Sequence, residues 1–236
     1  MGDYARVNGL KMYYEIRGVG RPLILLHGAF GSTGMFADIL PALAEGRRVI
    51  AVDLQAHGRT ADIDRPLSVY SMGGGVALQI AVRHSGLVRK LVVVSFPFKR
   101  DGWYPDVLAV RDGIGREAAE PMKQTPMYEA YAAVAPRPED WPVLWEKVGE
   151  SVRQDYDWTE DVVSLEVPTL VAAGDADGFP PARAAEFFGL LGGGNKDPGW
   201  DGSGMPASRL AVLPGTTHYD SFASPLLGPV VAPFLD

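Results

Sequence analysis

Short, continuous apolar runs separated by helical patterns constrain this chain more than any other feature. Leu23-Ile24-Leu25-Leu26, Arg48-Val49-Ile50-Ala51-Val52-Asp53, Lys90-Leu91-Val92-Val93-Val94-Ser95 and Pro168-Thr169-Leu170-Val171-Ala172-Ala173-Gly174 each carry an unbroken apolar stretch. Strands buried on both faces read this way, because neither face needs polar residues. Between the first two runs, Phe36, Ile39, Leu40 and Leu43 recur at helical spacing. Val76 to Val82 continues as a further helix after a glycine-rich turn. Strands that alternate with helices build a parallel sheet covered on both faces, so the expected class is α/β. A hairpin opens the chain, since Leu10-Lys11-Met12-Tyr13-Tyr14-Glu15-Ile16 alternates roughly and follows an Asn8-Gly9 turn signal.

The alternation stops at Phe96 and resumes at Pro168. The intervening stretch reads as helices rich in aromatic residues and methionine, punctuated by Pro121, Pro126, Pro136, Pro138 and Pro142. The expected organisation is therefore a core of residues 1–95 and 168–236 with a helical cap of residues 96–167. Most of the cap aromatics are read as packing, and the insertion as a lid over the strand ends, where open α/β sheets bind ligands. After the run ending at Gly174, a helix is expected from about Pro181 to Leu191, then a polar, glycine-rich surface loop from Gly192 to Ser208. No helix opens directly after those glycines, so they do not read as a phosphate-binding loop. Arg209-Leu210-Ala211-Val212-Leu213 is the last strand.

Composition narrows the chemistry. The 236 residues contain no cysteine, which excludes disulfides, thiol catalysis and thiolate metal sites. A net charge of −7 without any Lys/Arg run argues against nucleic acid as a partner. The start, Met1-Gly2-Asp3-Tyr4-Ala5-Arg6, has no signal-peptide pattern, and no apolar run is long enough to cross a bilayer. The default expectation is a cytoplasmic protein acting on a small molecule, with no membrane or nucleic-acid partner. No His/Asp/Glu spacing resembles a metal site and no cofactor is implied. Oligomeric state leaves no trace in the sequence.

Ser68-Val69-Tyr70-Ser71-Met72-Gly73-Gly74-Gly75 ends a short apolar run in a serine, then glycines, then a helix. So abrupt a strand-to-helix turn needs close backbone approach, which Gly73 allows. It projects the Ser71 hydroxyl beside a helix N-terminus, where free N–H groups favour negative charge. Read alone, Ser71 is equally a helix N-cap. Two further groups follow the ends of later strands: Asp177 or Asp175, and His218. Acyl transfer by serine needs a base and a carboxylate that fixes the imidazole, together with two N–H donors for the oxyanion. Met72 and Ala29 are the natural backbone donors.

Taken together, His27-Gly28-Ala29-Phe30, Asp53-Leu54-Gln55-Ala56-His57-Gly58-Arg59-Thr60, Ser71-Met72-Gly73-Gly74, Gly174-Asp175-Ala176-Asp177 and Gly215-Thr216-Thr217-His218 resemble the signature loops of the α/β-hydrolases. The resemblance is to the cap-bearing esterase, haloperoxidase and C–C hydrolase kind and runs over nearly the whole chain, in the order Ser, Asp, His. It implies an α/β-hydrolase fold and a serine hydrolase cleaving a small carboxylic ester or related acyl substrate. In that pattern Ser71 is nucleophile, Asp177 rather than Asp175 the acid, His218 the base, and Ala29 and Met72 the oxyanion donors. His27 and His57 are expected to brace loops and His84 to lie on the surface. A serine, not aspartate, at position 71 argues against dehalogenase and epoxide-hydrolase chemistry.

Two departures stand out. Val69 occupies the place of the first glycine of G-x-S-x-G, and Ala56 replaces another usual glycine. Between Asp53 and Ser71 there is no room for a crossover helix, which parallel strands ordinarily need. The connection is short by roughly two dozen residues relative to the pattern. An extended link can still reach the next strand. A displaced turn would instead leave an α/β-hydrolase-fold protein that binds a small ligand without turnover.

Overall fold

The computed structural model describes residues 2–67 and 73–236. The expected stub strand and serine turn, Ser68 to Met72, thus lie outside the described residues. The chain divides into two compact units, Met1–Gly73 with Leu108–Gln154, and Gly74–Val107 with Asp155–Asp236. The helical stretch 96–167 is shared between them. Helices α2 (Gly73–Arg83) and α3 (Pro105–Asp112) span the points where the chain passes from one unit to the other.

In the first unit, β1 (Gly2–Val7) and β2 (Leu10–Arg17) form the expected hairpin, with Val7 opposite Leu10. Asn8 and Gly9 have φ of 48° and 81°, the left-handed pair whose twist matches that of the flanking strands. β3 (Arg21–Leu26) and β4 (Arg47–Val52) run parallel, and β4 also pairs antiparallel with β2, giving the order β1-β2-β4-β3. β3 is not buried on both faces as its composition suggests: Ile24 is 61% exposed. The reason is its place, because β3 is the last strand of this sheet and β4 flanks it on one side only, among the described residues. The helix expected across Phe36 to Leu43 is broken into a 3₁₀ turn (Thr33–Phe36) and the short α1 (Leu40–Ala44). Pro41 enforces the restart, since it lacks an N–H and is tolerated only in a first turn. Phe36, Ile39 and Leu43 are nevertheless all buried.

The rest of this unit is helical: α4 (Pro126–Ala132) and α5 (Trp141–Arg153). On α5, Trp141, Leu144, Trp145, Val148 and Val152 fall on one stripe and are all buried. They form a core with Tyr131, Ala119, Ala56 and Leu67, against which Ala29 and Phe30 pack. Trp141 carries its indole N–H into this core and donates it to the Ala119 carbonyl at 2.9 Å, so a large buried side chain brings no unmet polar group.

The short connection after Asp53 is held by side chains rather than by a crossover helix. Lys147 Nζ lies 2.9 and 2.7 Å from the two oxygens of Asp62 and donates to the carbonyls of Ile63 and Arg65. Gln55 Nε2 reaches the same three residues, and the Arg65 guanidinium returns two bonds to Gln55 Oε1. Both charged side chains are largely shielded, Lys147 at 15% and Asp62 at 12% exposure. Breaking such a pair strands a buried charge and costs about 3 kcal/mol or more. Lys147→Met is therefore expected to lower the thermal midpoint by several degrees. A double variant that also replaces Asp62 with Leu should recover part of that loss in the same melts.

In the second unit, β5 (Leu91–Val94), β6 (Thr169–Ala176) and β7 (Arg209–Thr217) are all parallel, with β6 between the other two. The central position explains why Leu170 to Ala173 are at most 2% exposed. Between β5 and β6 the described residues form helices, turns and one isolated bridge, Lys99 with Asp157. Helices α6 (Thr159–Val163), α7 (Pro181–Leu190) and α8 (Leu227–Leu235) belong to this unit, and the stretch from Gly192 to Ser208 is turns and bends, as expected. No helix among the described residues is long and apolar enough to cross a membrane.

Candidate active site

Asp177 and His218 are brought together by the ends of β6 and β7. His218 Nδ1 lies 2.9 Å from Asp177 Oδ1, and because an ionised carboxylate can only accept, Nδ1 carries the proton. The Asp177 side chain is fully buried, whereas the imidazole is 24% exposed. Backbone N–H groups hold the carboxylate: Gly178 donates to Oδ1 at 2.7 Å and Gly174 to Oδ2 at 3.2 Å. Burial alone would raise the Asp177 pKa, but the His218 hydrogen bond, the nearby Ser95 hydroxyl, the His218 charge and the Gly178 N–H together hold it below the ordinary value. Asp175, the other candidate, is exposed and accepts from the Thr216 N–H. It makes no such approach to the imidazole.

Aromatic side chains frame the pair. Trp103 meets the His218 ring edge to face, with centroids 5.2 Å apart and planes at 86°. Its indole N–H donates to Tyr156 Oη at 3.0 Å, and Tyr156 in turn donates to the Pro97 carbonyl. Phe96 stacks on both Tyr156 and Trp158. Neither Trp103 nor Ser95 stood out in the sequence. No spacing rule links them to His218, since only the pairing of β5, β6 and β7 brings their neighbourhoods together.

The first unit holds the loop expected to bind an oxyanion. His27 is fully buried, donates from Nδ1 to the Gly28 carbonyl and accepts the Leu54 N–H on Nε2. Beside it, His57 donates from Nδ1 to the Gln55 carbonyl, with ring centroids 5.1 Å apart. Both histidines thus brace loops, and His84 is exposed, as expected. Asp53 fixes the next turn: its buried carboxylate accepts the Thr33 and Arg59 N–H groups at 2.6 and 2.7 Å. Ala29 precedes Phe30, whose φ of 59° is left-handed and rare for a bulky residue. The Phe30 ring lies 4.5 Å from that of Trp145, centroid to centroid.

Gly73 closes this loop. Its N–H donates to the His27 carbonyl at 3.0 Å, and a Cβ there would lie 2.1 Å from the Leu26 oxygen and 2.6 Å from that of His27. Backbone atoms cannot yield as a flexible side chain can. Gly73→Ala is expected to destabilise the protein by about 1–3 kcal/mol, read as a lowered urea midpoint. Ser71 and Met72 lie outside the described residues, so of the five expected site residues the structure describes Asp177, His218 and Ala29.

Burial pushes His27 down to about 4 and His57 to about 3, the second helped by its histidine neighbour. Both stay neutral when folded, while the unfolded chain takes up their protons below its ordinary value near 6.5. Their contribution to stability is therefore complete above pH 6.5 and is lost as pH falls toward the folded values. Urea midpoints are expected to fall steadily from pH 6.5 to pH 4, with uptake of about two protons on unfolding. A pH-independent midpoint over that range would contradict this.

Among known proteins, residues 21–66 match the family model for the alpha/beta hydrolase fold. The chain is 26% identical to the 2-hydroxy-6-oxo-6-(2'-aminophenyl)hexa-2,4-dienoic acid hydrolase of Metapseudomonas resinovorans, over 78% of this chain and 78% of that protein. It is also 26% identical to the pimeloyl-(acyl-carrier protein) methyl ester esterase of Vibrio cholerae, over 77% of this chain and 86% of that one. The crystal structure of carboxylesterase CesB from Bacillus subtilis superimposes with a TM-score of 0.73 at 18% identity, covering 100% of this chain and 91% of that one. The parallel strands, the loops after them and these matches make the class clear. The chain has the α/β-hydrolase fold, and the proteins it resembles are hydrolases and esterases.

Proposed function

We propose that the protein is a serine hydrolase cleaving a small carboxylic ester or related acyl substrate through a covalent acyl-enzyme. The observation that carries this reading is the 2.9 Å bond between His218 Nδ1 and a fully buried, doubly anchored Asp177. A carboxylate so placed fixes the tautomer that leaves Nε2 free to take a proton, and stabilises the imidazolium that results. Ser71 is the nucleophile: His218 Nε2 removes its proton as Oγ bonds to the acyl carbon. The Ala29 and Met72 N–H groups receive the oxyanion. Collapse expels the alcohol, protonated by His218, and water repeats the cycle on the acyl-enzyme to release the acid.

Residues 96–167 supply the lid and the substrate pocket in this reading. The two relatives named above are a methyl ester esterase and a hexadienoic acid hydrolase. Both reaction types use one constellation, so the aromatic lining selects between them. No cofactor enters the scheme.

Hydrolysis of p-nitrophenyl acetate is the direct test. The parent protein is expected to turn over, with Ser71→Ala at background and Asp177→Asn reduced about ten-thousand-fold in kcat. Equal rates for the parent and Ser71→Ala would remove the serine mechanism. Saturable ligand binding without turnover would then identify a binding protein built on the same fold.

A further inference from the structure

Thr217 is the last residue of β7, opposite Ala176 of β6, and His218 is the first residue past the strand. A carboxylate that the mechanism above does not use holds the backbone at this point. Asp220 Oδ1 accepts the Thr217 N–H at 2.6 Å and the Thr217 hydroxyl at 2.7 Å. Thr217 Oγ1 accepts the Tyr219 N–H in turn, at 3.2 Å. Thr217-His218-Tyr219-Asp220 thus has the pattern and the bonds of a capping box, a threonine with an acid three residues on that reaches back to its N–H. Such a box ordinarily opens a helix. Here turns run from His218 to Ala223, and the next helix, α8, starts only at Leu227. A capping box with no helix behind it holds something else, and the residue it encloses is His218.

The other contacts of His218 act on its ring. Asp177 Oδ1 takes the Nδ1 proton, and the rings of Trp103 and Tyr219 meet the imidazole at nearly right angles, with centroids 5.2 and 5.7 Å away. The side-chain bonds that flank the box are longer. Asp175 accepts the Thr216 N–H at 3.3 Å, and the Ser221 hydroxyl reaches the His218 carbonyl at 3.4 Å. The two bonds to Asp220 are short and charge-assisted, which makes them the strong ones of this loop. Asp220 is exposed, so water competes for its carboxylate and the bonds orient the chain more than they stabilise the fold.

We propose that Asp220 is a positioning residue for the base: its carboxylate closes Thr217–Asp220 into a ring and sets the direction in which His218 leaves β7, toward Asp177 Oδ1. The inference rests on the serine-hydrolase reading for its effect on turnover, but not for its effect on the imidazole. Both groups that Asp220 holds are donors, so the clasp needs an acceptor at this position and not a charge.

The test compares Asp220→Ala, which removes the acceptor, with Asp220→Asn, whose amide oxygen still accepts both bonds. Thr217→Val, which keeps the N–H and deletes the hydroxyl, opens the clasp from its other side. The chain has four histidines, so ring ¹⁵N spectra in alkaline buffer, with His218→Gln for assignment, read the His218 tautomer without substrate. Asp220→Ala is expected to convert a single Nδ1–H form into a mixture of tautomers, Thr217→Val to do so in part, and Asp220→Asn to match the parent. With p-nitrophenyl acetate, Asp220→Ala should lose kcat on the order of tenfold at unchanged KM, and Asp220→Asn should restore it. Thermal midpoints should stay close to the parent's, as for other exposed positions, which separates positioning from folding. An unchanged His218 tautomer in Asp220→Ala overturns the proposal whatever the rates do, as does an unchanged kcat in that variant of an active parent. Equal losses in Asp220→Ala and Asp220→Asn overturn it too, by tracing the effect to charge. If the parent shows no esterase activity, the serine-hydrolase reading fails while the tautomer still decides the clasp.

Discussion

The backbone of Gly73 rests against the carbonyl oxygens of Leu26 and His27, an approach that any side chain would block. This contact seats Gly73 against the end of β3, beside the expected oxyanion loop. His27 is tied from its own ring to Gly28 and Leu54, so the loop and the turn after β4 are registered to the same point. Phe30, turned by its left-handed backbone, carries the loop onto Trp145 and the core of α5. The missing side chain at one glycine, the ring bonds of His27 and the turned backbone of Phe30 thus act on one short loop.

The two units solve the same electrostatic problem in the same way. Asp53 and Asp177 both bury a carboxylate at the end of a strand, and both meet it with backbone N–H donors from the adjoining turns. Backbone donors are fixed by the fold and lose no side-chain freedom, so they hold the charge at little entropic cost. The difference lies in what is left over. The Asp53 carboxylate is enclosed by its loop and the Arg59 side chain, whereas Asp177 directs one oxygen to an imidazole that still meets solvent.

Much of this was legible in the sequence because it is local or periodic. Asn8-Gly9 demands a twisted hairpin, the unbroken run at Leu170 demands a strand buried on both faces, and the aromatic-rich stretch after Phe96 reads as helical. The motif loops carried Asp177 and His218 through resemblance, and the two side chains lie 2.9 Å apart. What the sequence hid is non-local. The exposure of Ile24 follows from which strand ends a sheet, and apolar composition cannot report that. The division of residues 96–167 between two units follows from which partners each helix finds. Ser95 and Trp103 become neighbours of the candidate pair only once parallel strands are aligned.

Lys147 anchors the connection at Asp62 from 85 residues further along the chain. A crossover helix would stabilise such a connection from within, as soon as its own turns had formed. Here the fastening arrives late: at ordinary rates of synthesis the segment around Asp62 waits roughly 4–17 s for its lysine. Until then Gln55 and Arg65 tether it, joined by Arg137 ten residues before the lysine, and the contacts that complete the first unit carry a high loop-closure cost. The shortened connection therefore transfers part of the folding problem from a local helix to a distant side chain, and makes the order of chain emergence matter to how this unit is assembled.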